Sequence, residues 1–284
     1  MAKIDRLGWA AGVSFICQGV RVGIRVNDPK AVGWLLAVLP PGAKPLPSPV
    51  VDELCSVLVA PNVPGSRLRR FHLFYWGADR LARTLDAEEL FAALQTWLHF
   101  IVALGARRHV FVKAGVVGWG GRAIVLLGRP SAGTTTLVAA LVRAGASYFS
   151  DRYAVLDRRG RVHPYPSPLA SGEEVLGCIA AARALPVGLV VVTGYRPGAR
   201  WRPRVLSAGE AMLALLGNAV QARLRPRAVL TALRAAVAGA AALRGKRGEA
   251  EEAAGAMLKR LDGPVQPGCP GGRRPAGGGK VDSA

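Results

Sequence analysis

The stretch Gly128-Arg129-Pro130-Ser131-Ala132-Gly133-Thr134-Thr135-Thr136 sets two glycines five positions apart and follows them with a run of threonines. That is nearly the spacing of a phosphate-binding loop, G-x-x-x-x-G-K-[ST]. In such a loop the glycines let successive backbone N–H groups converge on phosphates at a helix N-terminus. A lysine adds charge at the β- and γ-phosphates, and the final hydroxyl ligates Mg²⁺. Here Gly128, Gly133 and the Thr135 hydroxyl fit, but threonine holds position 134 in place of the lysine. On the motif alone, an ordinary glycine turn and a nucleotide loop stay equally open.

Other chemistry-bearing residues form no pattern of their own. Cys17, Cys55, Cys178 and Cys269 lie in no CxxC or Cys/His cluster, which gives free thiols and neither a zinc site nor a disulfide framework. His72, His99, His109 and His163 have no partner spacing, and His163 in "VHPYP" reads as structural or exposed. Glu173 and Glu174 read as surface acids at a helix start, or else as a metal carboxylate. No Ser/His/Asp or Cys/His arrangement is legible for nucleophilic catalysis.

The elements around the loop follow from periodicity. "HVFVKAGVVGWGGRAIVLLG" places β-branched runs on both sides of Gly118-Trp119-Gly120-Gly121 and reads as a hairpin. A two-residue turn at Trp119-Gly120 would pair Gly118 with Gly121 and Lys113 with Leu126. After the loop, "TTLVAALVRAGA" has a helical period ending at Gly145. "SYFSD", "YAVLD" and "RVHPYP" read as short strands, the last two joined by the turn Arg158-Arg159-Gly160. "VGLVVVTGY" reads as a buried strand and "RPRVLS" as another. Ser207 and Glu210 make a capping box for the helix "SAGEAMLALLGNAV", and a second alanine-rich helix spans about Arg227 to Leu243.

Upstream, "VSFICQGVRVGIRVND" suits a strand pair, "PKAVGWLLAVLP" a helix opened by proline, and "RRFHLFYW" a strand, with the proline-rich "PPGAKPLPSPVV" as a connection. The segment from Asp86, "DAEELFAALQTWLHFIVALGARR", has an N-cap, glutamates in its first turn and arginines at its end, and predicts a helix.

The run "HVFVKAGVVGWGGRAIVLLGRPSAGTTTLVAALVRAGASYFSDRYAVLDRRGRVHPYPSPL" resembles the catalytic domain of HPr kinase/phosphorylase, in particular the stand-alone HPr-kinase-related proteins. The likeness is close over about Arg107 to Leu169 and looser over "GVRVGIRVNDP" and "LPVGLVVVTGYRPGARWRPRVLSAGEA". It implies an α/β fold with a P-loop kinase-like domain of the HPr kinase type over residues 107–262; the elements upstream read as an N-terminal mixed α/β region over 1–106, and the Gly/Pro-rich end, with almost nothing to bury, reads as a disordered tail over 263–284.

It further implies ATP, Mg²⁺ and phosphoryl transfer to the serine of a protein or peptide, with a possible homo-oligomer, since hexamers occur in the parent family. Carried over, the cofactor-binding positions are Gly128, Arg129, Ser131, Ala132, Gly133, Thr134, Thr135 and Thr136. Asp151 is the first acid of the family's pair and would act as general base, sharing the Mg²⁺ with Thr135. Three positions depart from the family pattern. Thr134 replaces the loop lysine, Lys113 the histidine of "HAG", and Arg152 the second acid. Such losses predict impaired transfer, because phosphoryl transfer depends on positioning and charge neutralisation. Lys113, helped by Arg129 or Arg152, could replace the missing cation from the neighbouring strand; the alternative is a merely exposed lysine.

Composition narrows the classes. The chain has 284 residues, 51% hydrophobic, and can bury a sizeable core. No apolar run is long enough for a membrane span and no convincing signal cleavage site follows the start, so a cytoplasmic location is expected. The net charge of +20 raises a nucleic-acid partner, with "RPGARWRPR" around Trp201 as the one place for base stacking. Scattered arginines amid Ala, Gly and Pro instead fit a coding bias. Three functions therefore stand: an HPr-kinase-like kinase, a silent pseudokinase that binds nucleotide or protein, and a basic nucleic-acid-interacting protein.

Overall fold

The computed structural model describes residues 3–61, 70–129, 132–167 and 183–262. Over these residues the chain is mixed α/β, with two mixed sheets and six α-helices. Among the described residues no helix is long and apolar enough to cross a membrane. Pro130, Ser131, Glu173, Glu174, Cys178, Cys269 and the tail expected at 263–284 lie outside the described residues.

The first sheet and its helices comprise β1 (Ala11–Cys17), β2 (Val20–Val26), α1 (Val32–Ala37), β3 (Lys44–Pro45), β4 (Glu53–Leu58), β5 (His72–Trp76), β6 (Asp79–Thr84) and α2 (Ala87–Gly105). Strand order is β3-β1-β2-β4-β5-β6, with β2 and β4 parallel and α1 in the crossover between them. Helix α2 begins as its sequence demands: the Asp86 carboxylate accepts from Glu88 N at 2.8 Å, a cap that contributes about 1 kcal/mol. Its apolar stripe, Leu90, Phe91, Leu94 and Leu98, packs on the sheet with Phe15, Val22, Ile24 and Phe74. Cys17 and Cys55 are free and buried there. Burial pushes the Cys17 thiol up to about 11 and the Cys55 thiol up to about 12, so both stay protonated and inert.

The second sheet comprises β7 (Val110–Lys113), β8 (Gly115–Trp119), β9 (Arg122–Leu127), β10 (Ser147–Ser150), β11 (Tyr153–Leu156), β12 (Arg161–His163), β13 (Leu185–Tyr195), β14 (Arg204–Val205) and β15 (Ala241–Arg247). Helices α3 (Thr134–Arg143), α4 (Ala208–Leu216), α5 (Pro226–Val237) and α6 (Ala250–Asp262) complete it. Its middle is a parallel trio, β9, β13 and β15, in the order β9-β13-β15. Alternate residues of these strands point to opposite faces. Val125, Leu127 and Val190 bury against α4 and α5, while Ile124, Leu126 and Val191 bury against α3 and α6. A sheet covered on both faces requires the near-continuous apolar runs that β9 and β13 carry. The capping box at Ser207 and Glu210 is present, as its spacing predicted.

Two expectations are corrected. The alanine-rich helix does not run to Leu243; α5 stops at Val237, and Leu243 lies in β15. The hairpin turns at Gly120-Gly121, with φ of 53° and 73°, so Trp119 pairs with Arg122 and Leu126 pairs with Gly115. Both central residues of a type I′ turn need positive φ, which glycine adopts freely and tryptophan does not. Lys113 is therefore not opposite Leu126; it ends β7 and pairs with Tyr153 of β11.

Candidate functional site

The loop between β9 and α3 sits at the carboxyl end of the parallel strands, where α/β sheets present ligands. Both of its glycines are sterically required. Gly133 has φ +69°, and a Cβ there would meet Arg247 Nη2 at 2.6 Å; one on Gly128 would meet the Thr134 hydroxyl at 2.7 Å and Ala132 Cβ at 2.9 Å. Gly133 is also the N-cap of α3 and offers no side-chain cap, so the first-turn amides at Thr134, Thr135 and Thr136 have no side-chain acceptor at the cap. Such an end attracts anions.

Thr134 is the first residue of α3. A Cβ on Gly115 would lie 2.9 Å from its Cγ2, so this threonine lies between β8 and the loop. Thr135 is half-buried and Thr136 exposed.

One cavity of about 390 Å³ gathers most of the predicted site: Lys113, Gly128, Arg129, Ala132, Gly133, Thr134, Thr135, Asp151 and Arg152 all line it. Lys113 ends β7 opposite Tyr153, next to the turn that carries Asp151, and its backbone N donates to Asn218 O at 2.9 Å. Lys113 is exposed and borders the same cavity as Asp151. Thr136 is not among the lining residues.

Asp151 is positioned by the turn between β10 and β11. The buried Ser150 hydroxyl accepts from Arg152 N at 3.2 Å and from Tyr153 N at 3.1 Å, which fixes the bend that carries Asp151. Oδ1 of Asp151 accepts from the Ser167 hydroxyl at 3.1 Å; the Tyr148 hydroxyl has one proton and two acceptors, Ser167 O at 2.8 Å and Asp151 Oδ1 at 3.2 Å. Burial, reinforced by the Asp151 charge, raises Tyr148 well above its ordinary value, so it remains a donor.

Arg152 is engaged elsewhere: its Nη2 donates to Gln95 of α2 at 3.3 Å, and its Nε is buried without a partner. Nearby, His99 is buried and its Nδ1 lies 3.0 Å from Tyr165 OH. Burial, with the Arg152 charge adding to it, lowers His99 to about 4. A histidine held neutral in the folded state contributes stability that is fully present above the unfolded value near 6.5. That stability is lost as pH falls from there through about 4. We expect unfolding free energy to drop by about 3 kcal/mol over that window, measured as urea midpoints against pH. His99→Gln should remove most of that slope.

Sequence reasoning missed Asn218 and Arg247. Arg247 is 2% exposed; its Nη2 donates to Gly133 O at 2.6 Å and its Nη1 to Gly248 O at 2.9 Å. It is a cation beneath the loop, and desolvation lowers its pKa. No motif marks it, because β15 brings it in from far along the chain. The histidines do have partners: His109 Nδ1 lies 2.8 Å from Gln18 Oε1, His163 Nε2 lies 3.2 Å from Asp157 Oδ2, and Ala60 N donates to His72. Trp201, singled out for base stacking, is half-buried and packs against the apolar cluster of α3 and α6.

Among the described residues no group of three acidic, histidine or cysteine side chains could hold a metal ion. Thr135 and Asp151 line the same cavity and are the two oxygen-bearing side chains expected to share a divalent cation. Compared with models of known protein families, the chain matches none, and no curated protein matches it. The HPr kinase resemblance rests on the residues themselves.

Proposed function

We propose that the chain is an HPr-kinase-like P-loop protein that binds a nucleoside triphosphate, ATP, in the cavity beside Gly128–Gly133 and transfers its γ-phosphoryl group to a polypeptide serine. The observation that carries this reading is the convergence of Lys113, the uncapped α3 end, Thr135 and Asp151 on one cavity, from elements widely separated in sequence. The loop amides and Lys113 take the phosphates. Asp151, held through Oδ1, accepts the proton of the serine hydroxyl as that oxygen attacks the γ-phosphorus. The bond to the β-phosphate oxygen breaks and ADP leaves. Mg²⁺, carried in with ATP, would neutralise phosphate charge beside Thr135 and Asp151.

Lys113 supplies the cation that Thr134 lacks, and Arg129 borders the same cavity. Lys113→Ala is expected to weaken Mg·ATP binding by about ten- to a hundredfold, the worth of one charge-assisted contact, by isothermal titration. A variant that binds as tightly as the parent sinks the assignment of Lys113.

A second reading, nucleotide binding without transfer, is favoured by one observation: the residue at the family's second acid position is Arg152, and it is turned to Gln95. Radiolabel transfer from ATP to serine peptides separates the two. Binding with no transfer to any acceptor leaves the silent reading.

A further inference from the structure

We infer that a second cavity beside the loop is an anion subsite that takes the acidic flank of the phosphoacceptor polypeptide, an inference that rests on the kinase reading above. This cavity, of about 680 Å³, shares Gly128, Arg129, Ala132 and Asn218 with the first and extends to Arg244 and Lys246 on β15. The parallel register sets Arg244 beside Val192 and Lys246 beside Gly194. Two residues apart on one strand, both cations leave the same face of the sheet, and both are exposed. Gly194 puts no side chain in their way, and a Cβ there would meet nothing within 4 Å.

The charge is unmatched. Arg129, Arg244 and Lys246 line the cavity, and no Asp or Glu does among the described residues. Arg204, across the ladder from Arg244, already holds Glu210 at 2.9 Å, whereas neither Arg244 nor Lys246 makes an ion pair among the described residues. Like charges brought together without counter-charge raise the potential for an anionic ligand.

The first cavity accounts for the triphosphate and the base. An acceptor hydroxyl lying against Asp151 leaves its neighbouring residues to cross the shared wall at Arg129 and Asn218. Adenine and ribose are uncharged and do not call for three cations; carboxylates do.

The test uses the full chain without nucleotide, at about 0.15 M salt, where attraction beyond about 8 Å is screened. A fluorescent serine peptide flanked by glutamates is compared by anisotropy with the same peptide bearing glutamines. The glutamate peptide is expected to bind about tenfold tighter. Arg244→Ala with Lys246→Ala should remove about that factor and leave Mg·ATP affinity unchanged, the scale expected for two exposed charge pairs. Arg158→Ala with Arg159→Ala, the same charge change on an exposed turn, should leave peptide affinity unchanged.

Equal weakening by both double variants would mean that the net charge alone attracts the peptide and would overturn the subsite. Loss of Mg·ATP binding in the β15 variant would assign the cavity to nucleotide and overturn it as well. If the parent binds no Mg·ATP, the kinase reading fails on that measurement alone, while the peptide series still decides whether the cavity takes acidic chains.

Discussion

Gly160→Ala is expected to destabilise the chain by about 3 kcal/mol or more, placing alanine in the left-handed region at a cost of about 1–2 kcal/mol and overpacking a closed contact at about 1–3 kcal/mol. Gly160 closes the turn between β11 and β12 with φ +72°, and a Cβ there would lie 2.2 Å from Ala236 N, 2.4 Å from Ala235 C and 2.6 Å from Ala236 Cα. All three are backbone atoms of α5, so no side chain can swing aside. Either the turn or the helix must move, and both rest on the apolar cluster that holds Val162, Val229, Leu233 and Ala236. At about 2–4 °C per kcal/mol for a chain of this order of size, the melting temperature should fall by roughly 10 °C.

Gly255→Ala in α6 is the matched control. It meets nothing within 4 Å, and it should stabilise by about 0.5–1 kcal/mol through helix propensity. Urea unfolding of both variants reads the difference. A Gly160→Ala protein that unfolds at the parent's midpoint would mean that α5 does not lie against this turn.

That turn marks how far the sequence could be read. Arg158-Arg159-Gly160 is legible as a turn from its polar residues and its glycine, but its contact with α5 joins residues far apart in the chain, and no local pattern encodes that. The hairpin was legible as a hairpin while its register was not. Gly118-Trp119-Gly120-Gly121 offers more than one two-residue turn, and only the positive φ demanded at both centres selects Gly120-Gly121.

Beyond Val237 the alanine-rich composition favours helix, yet β15 forms there because its Ala242 and Leu243 are buried on opposite faces of the sheet. Tertiary burial overrides propensity. For the proposed site, the loop glycines and Thr135 stand in the sequence as a motif, Asp151 enters through the family resemblance, and Lys113 was reached through a register that the structure corrects. Asn218, in the turn after α4, and Arg244, Lys246 and Arg247, on β15, carry no local motif; tertiary packing alone brings them beside the loop.

Asp151→Asn is expected to lower phosphoryl transfer by about 10²–10⁴-fold, the usual contribution of a positioned general base. Amide and carboxylate have nearly the same shape, so the turn set by Ser150 should survive. The hydrogen bonds from Tyr148 and Ser167 can still be accepted by the amide oxygen. What disappears is the ability to take the serine proton. Because Asp151 also stands beside the place of the phosphate-borne cation, Mg·ATP affinity should weaken too, by far less than the rate.

The measurement is label transfer from ATP to the glutamate-flanked serine peptide, with binding followed separately by calorimetry. Tyr148→Phe is the companion variant. It leaves the carboxylate in place with the Ser167 hydroxyl as donor, and because the Tyr148 proton is shared with Ser167 O, the rate should fall by at most about tenfold, the worth of one hydrogen bond, with nucleotide affinity unchanged. If the parent transfers phosphate and Asp151→Asn transfers it as fast, the proton has another acceptor and Asp151 loses its role. If the aspartate variant loses rate while Tyr148→Phe does not, the base acts without that support, and Ser167 alone holds its orientation.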